Sequence, residues 1–397
     1  MDEARLERIG EHLRTRYVEP GKVAGCQALV ARHGQVAYSE SFGLADRERG
    51  TPVRDDTIWR IYSMTKPITS VALMTLYERG IFQLTDPVHR FIPEWSGLKV
   101  WEMDGAGGER LVEPERAPTV RDVLTHTAGL GYGFDAEDPV DKRYAETMLT
   151  ADFRNQMTLE EMSRRLGDLP LRFHPGAHWR YSFGTDVCAR LVEVMSGRRF
   201  GDYLREVIFD PLGMPDTGFV VPESGRDRFA ANYYRSADKE LVLFDDPATS
   251  RYLEPRPMQS GGGGLVSTTP DYLRFLEMLR RGGELDGARI LGRNTIHYMA
   301  SNHLPGGASL SSLALGTLGQ EPYAGIGFGL GFAVTLDPVE LQTIASPGDY
   351  YWGGAAATLF WIDPVEDMLV IFMVQHMGSP YNFRGQLQQL VHQAIVS

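Results

Sequence analysis

The chain is poor in cysteine, lysine and long apolar runs, and each shortage removes a class of protein. Only Cys26 and Cys188 occur among 397 residues. They are too few for a disulfide framework, and a reducing cytosol suits them. A chain of this length buries enough apolar surface to do without such staples. Lysine occurs five times, at Lys22, Lys66, Lys99, Lys142 and Lys239. Basic residues number 40 against 52 acidic ones, a net charge of −12. That acidity argues against nucleic acid or an anionic membrane as partner. No window of 18 apolar residues exists, which excludes a spanning helix. The charged opening from Met1 to His12 lacks the apolar centre of a signal peptide, so a cytoplasmic location is expected.

Several catalytic signatures are missing as well. The run Gly261-Gly262-Gly263-Gly264 continues into Leu265 without the Lys-Ser/Thr pair of a phosphate-binding loop. The Gly-x-Ser-x-Gly elbow of the α/β-hydrolases occurs nowhere. His174 and His178 have a spacing that suits zinc on a helix, but Pro175 and Gly176 between them break any helix. They read as loop histidines, so neither a metal nor an organic cofactor is expected.

What is present is a globular composition, 43% apolar and 23% charged. At roughly 150 residues per domain the length allows two or three domains. An opening helix over residues 2–17 precedes two strand-like runs, Ala24 to Ala31 and Gln35 to Phe42, joined as a hairpin at His33-Gly34. The signature returns near the other end. There Ala355 to Ile362 and Met368 to Gln375 flank a turn, and a closing helix runs from Arg384 to Val396. Helical patterns fill the middle, over Ser63 to Gly80, Thr119 to Thr125, Thr158 to Leu166, Thr185 to Ser196 and Phe200 to Phe209. Thr269-Pro270-Asp271 reads as the capped start of a further helix over Tyr272 to Leu279. The expectation is an α/β (α+β) fold with an antiparallel sheet flanked by helices. Residues 1–60 and 250–397 would form one discontinuous α/β lobe, and residues 61–249 an inserted, mainly helical lobe.

One short motif stands out, Ser63-Met64-Thr65-Lys66. A serine three residues before a lysine shares its helix face, so the amine reaches the hydroxyl. A serine hydroxyl is a weak nucleophile until a neighbouring base takes its proton, and lysine acts as that base only where burial destabilises its charge. The spacing alone decides nothing, because Ser96 with Lys99 and Ser236 with Lys239 satisfy it too. Context separates them. Ser96 precedes Gly97 in a loop-like setting, and Ser236-Ala237-Asp238-Lys239 reads as a solvated turn. Ser63 opens the most apolar helix of the chain, where Lys66 is the only charge between Arg60 and Glu78. A lone buried lysine is costly without a partner or a function.

Around that motif the chain resembles the serine β-lactamase and penicillin-binding-protein superfamily, and within it the family VIII carboxylesterases. Ile61 to Pro67 matches the nucleophile helix, Leu124 to Leu130 a Thr-His-x-x-Gly loop, and His174 to Ser182 the segment bearing a second-motif tyrosine. Leu212-Gly213-Met214, Gly262 to Leu265 and Trp352-Gly353-Gly354 follow in the superfamily's order. The resemblance implies a β-lactamase-like fold and a catalytic set of Ser63, Lys66 and Tyr181. Tyr181 would face Ser63, its phenolate held by Lys66, and shuttle protons. Trp352 to Ala355 would be an edge strand lining the site, with the backbone N–H groups of Ser63 and Ala355 forming an oxyanion hole. Thr125 and His126 are expected to buttress rather than react.

Two departures bear on substrate. Phe183 stands where lactamases usually carry an asparagine, and Trp352 where they carry the lysine of Lys-Thr-Gly. Phe183, Trp352, Gly353 and Gly354 are therefore expected to bind substrate through aromatic faces and backbone, favouring neutral, apolar acyl esters. The expected activity is hydrolysis of short- to medium-chain carboxylic esters through an acyl-enzyme on Ser63, with a small-molecule ester as the partner. A β-lactamase or D-amino-acid peptidase, an acyltransferase on the same scaffold, and a catalytically silent binder of acylated ligands or cell-wall peptides are the alternatives.

Overall fold

A computed structural model describes residues 1–105, 107–150, 156–316 and 323–396. Its centre is an eight-stranded antiparallel sheet drawn from both ends of the chain. The strands are β1 (Gly25–Arg32), β2 (Gln35–Asp46), β3 (Thr51–Pro52), β4 (Ile326–Phe328), β5 (Ala333–Thr335), β6 (Tyr350–Gly353), β7 (Leu359–Asp363) and β8 (Met368–Val374), in the spatial order β4-β5-β6-β7-β8-β1-β2-β3. The two ends of the sequence meet where β1 pairs with β8, Leu29 opposite Ile371.

The apolar runs of these strands are explained by burial on both faces. Successive side chains point to opposite faces. Leu29, Ala31, Leu369, Ile371 and Met373 enter one core, shared with the central helices. Ala28, Val30, Met368, Val370 and Phe372 enter a second. That second face is covered by the terminal helices α1 (Glu3–Leu13) and α6 (Phe383–His392), through Leu6, Ile9, Leu13, Leu387 and Val391. The helix α2 (Thr65–Glu78), which follows Ser63, is buried all round from Thr65 to Leu76, as a largely apolar helix must be. It packs beside α4 (Gly184–Ser196), which ends at Gly197 with φ 69°, the left-handed stop that glycine permits. Among the described residues no helix is long and apolar enough to cross a membrane.

Several expected boundaries shift. The strand expected over residues 355–362 begins only at Leu359. Residues 355–358 form instead the turn from β6, with Ala357 at φ 66°. The segment Trp352 to Ala355 is not an edge strand: β6 lies third from one side, and Ala355 stands beyond its end. A local opening survives, because β5 pairs with Tyr350 and Tyr351 only, leaving that side of Trp352 and Gly353 unpaired. The helix α5 (Thr269–Arg280) is capped one residue earlier than expected, by the Thr268 side chain accepting from the Asp271 N–H at 3.2 Å. The short helix α3 (Val120–Leu124) carries a reciprocal capping box between Thr119 and Asp122.

Candidate active site

Ser63 sits at a strained junction. Tyr62 before it has φ 43°, a left-handed conformation that a bulky residue adopts only where its surroundings impose it. The flanks do so. The strand pair of Trp59–Arg60 with Val266–Ser267 precedes the junction. Arg60 is fully buried, with Nε 2.7 Å from Asp245 and the guanidinium 3.9 Å over the Phe229 ring. On the far side the Tyr272 hydroxyl donates to the Met64 carbonyl at 2.9 Å, and Thr69 Oγ1 to the Gly261 carbonyl at 2.8 Å. The start of α2 is thus pinned against a distant loop, with Ser63 left half-buried.

Lys66 is 1% exposed. Its Nζ donates to the Gly262 carbonyl at 2.6 Å and to Ser63 Oγ at 3.3 Å. The Tyr181 hydroxyl donates to Ser63 Oγ at 2.9 Å. Two groups therefore converge on one oxygen. Lys66 does not hold the tyrosine by its hydroxyl as expected. Among the described residues no hydrogen bond joins the two, and the ammonium lies 4.5 Å from the centre of the Tyr181 ring. The other Ser-x-x-Lys matches come apart. Lys99 pairs with Glu113, and Lys239 has φ 67° in a turn closed by Ser236 and Glu240.

Tyr181 is on no helix or strand, yet both neighbours are fixed. Arg180 is buried, 3.1 Å from each of Asp138 and Asp141. Ser182 Oγ lies 2.9 Å from His126 Nδ1, and the Arg180 N–H donates to the His126 carbonyl at 2.9 Å. His126 itself stands 4.9 Å from the Tyr181 ring and has φ 58°. Burial, with a smaller push from Lys66, holds His126 well below the usual histidine range. It is a neutral buttress.

These residues border a cavity of about 590 Å³ with mostly aromatic walls, a volume typical of small-molecule sites. Ser63, Tyr181, Phe183, Trp352, Gly353, Gly354 and Ala355 all line it, and Lys66, the remaining residue expected at the site, lies buried behind the wall and reaches it through Ser63. Trp352 lies 5.6 Å from the Tyr181 ring and edge-on to Phe328 at 5.4 Å, and its carbonyl accepts from Arg384 at 3.1 Å. Phe183 is 1% exposed and stacked on Tyr132 at 4.5 Å, so it backs the wall from beneath.

Sequence reasoning missed Tyr132 and Asp186. Tyr132 stacks on Tyr181 at 5.5 Å as well as on Phe183. Asp186, in the first turn of α4, accepts from Ser260 Oγ at 2.6 Å and from the Gly262 N–H at 3.0 Å. It thereby holds the residue whose carbonyl receives Lys66. Burial pushes the Asp186 carboxyl up, against the opposing pull of Lys66 and these bonds. A buried aspartate at the head of an apolar helix was the available signal.

Comparison with known proteins places the fold in a family. The Beta-lactamase family model matches residues 12–393. Esterase EstB of Burkholderia gladioli is 32% identical over 368 residues, covering 89% of this chain and 86% of that protein. Among solved structures, EstCE1, a hydrolase with promiscuous acyltransferase activity, matches with a TM-score of 0.81 and 27% identity over 100% of this chain and 99% of its own. Simvastatin synthase (LovD) from Aspergillus terreus matches with a TM-score of 0.79 and 26% identity, covering 98% and 96%. With the family model spanning nearly its whole length and two such folds superposing on it, this chain belongs to the Beta-lactamase family and is a β-lactamase-like serine hydrolase.

Proposed function

We propose that the protein is a carboxylesterase that cleaves short- to medium-chain neutral esters through an acyl-enzyme on Ser63. One observation carries the reading: Lys66 Nζ and the Tyr181 hydroxyl both reach Ser63 Oγ, at 3.3 and 2.9 Å, beside a largely aromatic cavity. In this reading one member of the pair is deprotonated and takes the proton of Ser63 as Oγ bonds to the acyl carbon. The leaving alcohol takes that proton as its C–O bond breaks, and water repeats the route in reverse. The backbone N–H groups of Ser63 and Ala355, on the same cavity wall, are the oxyanion donors in this reading. Trp352 and Phe183 offer no charge or amide to a β-lactam, which favours esters over lactams.

The test is turnover of 4-nitrophenyl acetate and butyrate beside a chromogenic cephalosporin. The wild type should prefer the esters by orders of magnitude in kcat/KM. Ser63→Ala should lose ester turnover and the single adduct left by a fluorophosphonate probe, whereas Ser96→Ala and Ser236→Ala keep both. Near-normal turnover in Ser63→Ala, or absence of an adduct in the wild type, would remove the proposal in favour of a silent binder. Acyl transfer is the second reading, favoured by the similarity to EstCE1 and to simvastatin synthase. Added alcohol that captures the acyl group in place of water would support it.

A further inference from the structure

The cavity wall carries three charged side chains, Asp186, Arg251 and Arg256. Asp186 is engaged inward, by Ser260, by the Gly262 N–H and by the nearby ammonium of Lys66. The arginines belong to a loop that also adds Tyr252 and Met258 to the wall. Arg256 Nε donates to the Arg251 carbonyl at 3.4 Å, bracing the loop. Arg251 is exposed at the mouth and lies 5.1 Å from the Tyr252 ring, donating to that hydroxyl at 3.3 Å. Among the described residues no carboxylate lies within 4.0 Å of it. Asp245, which acts on it from farther off, is already taken by buried Arg60 at 2.7 Å. In a protein of net charge −12, two of the three charged side chains on this cavity wall are thus cations.

We propose that Arg251 extends the neutral-ester range of the site to esters that bear a carboxylate away from the scissile bond, which it holds more tightly than their neutral counterparts. Trp352 offers an aromatic face beside Ser63, so a substrate carboxylate finds no cation there. The aromatic wall suits the apolar part of such a substrate, and the guanidinium at the mouth its charged end. A planar guanidinium matches a carboxylate through paired N–H donors. Low-dielectric aromatic surroundings strengthen that contact, and salt at an exposed mouth weakens it.

The inference rests on the esterase reading above, and the experiment separates the two. Two matched pairs place the charge on either side of the ester bond: 4-acetoxybenzoate against its methyl ester, and mono-4-nitrophenyl glutarate against 4-nitrophenyl pentanoate. The readout is the ratio of kcat/KM for the anionic over the neutral member. Arg251→Glu should lower that ratio about tenfold in at least one pair, through KM more than kcat, and Arg251→Lys should retain most of it. The wild-type ratio should fall as salt is raised. Ratios indifferent to the charge at position 251 in both pairs overturn the inference while leaving the esterase reading intact. Calorimetric binding of the same esters to Ser63→Ala needs no turnover. Tighter binding of the anionic member that is lost when Arg251→Glu is added supports the inference even if no ester is hydrolysed, and equal affinities overturn it.

Discussion

At the scale of single residues, the proposed mechanism works through groups that act as a unit. Lys66 and Tyr181 both reach Ser63 Oγ, so in the proposed mechanism removing either one interrupts the same proton path. Lys66→Ala and Tyr181→Phe should each lower kcat by about a hundredfold or more while changing KM less. The double variant should cost far less than the product of the two, and strictly multiplicative losses would show independent roles. His126 adds a pH dependence of stability. Its folded value lies below its unfolded one, because a buried imidazolium is penalised. Its contribution is therefore complete above about pH 6.5 and is lost as pH falls below it. His126→Gln should flatten the decline in urea midpoint between about pH 6.5 and 4.5, and an unchanged slope would show that the histidine does not titrate on unfolding. Ser63 with Lys66 was legible from sequence, because Lys66 is the only charge between Arg60 and Glu78.

At the scale of elements, the turn between β6 and β7 matters most. A Cβ on Gly354 would lie 2.2 Å from Thr358 Oγ1 and 2.6 Å from the Ile61 carbonyl, so any side chain forces this turn away from the strand that delivers Ser63. Gly354→Ala should lower kcat at least about tenfold with circular dichroism unchanged. Gly97→Ala, where a Cβ meets open space, should have no effect. Equal activity in both would separate the turn from catalysis. The same turn misled the sequence reading. Ala355-Ala356-Ala357-Thr358 continues the apolar run into Leu359 without a glycine or proline to mark the break, and Ala357 takes φ 66° regardless. The helix cores were legible because their period and caps are local, as at Thr158 and Gly197. Short strands such as β4 and β5 were not, since three residues carry no period.

At the scale of the molecule, the sheet closes only when residues from both ends of the chain are in place, and its interior holds charges that respond to pH. Asp349, at the start of β6, is fully buried. Burial pushes its carboxyl up to about 7, Asp363 adding to the shift while Thr335 and Arg384 oppose it. A raised carboxyl binds its proton more tightly when folded. Its contribution is present below about pH 4 and is lost as pH rises through about 7, opposite in sign to that of His126. Asp349→Asn should remove that loss, so that the variant gains on the wild type by roughly 4 kcal/mol at pH 8 compared with pH 4. Calorimetric Tm curves that run parallel for the two proteins across this range would exclude the assignment.

What the sequence determined by itself was everything carried by near neighbours. This includes the apolar helix with Ser63 and Lys66 three residues apart, the alternating strands at both ends, and a composition that needs neither disulfide nor spanning helix. Tertiary structure alone decided what the helix faces. Tyr181 reaches Ser63 across 118 residues of chain, held by Asp138 and Asp141 on one side of its loop and by His126 on the other. The Tyr132 stack, the Asp186 brace on Gly262, and the opening beside Trp352 where β5 stops pairing arise in the same way. Helical period and capping act over three or four residues and leave a pattern in the sequence. Contacts that close long loops depend on where two packed faces come to rest, and no local pattern encodes that.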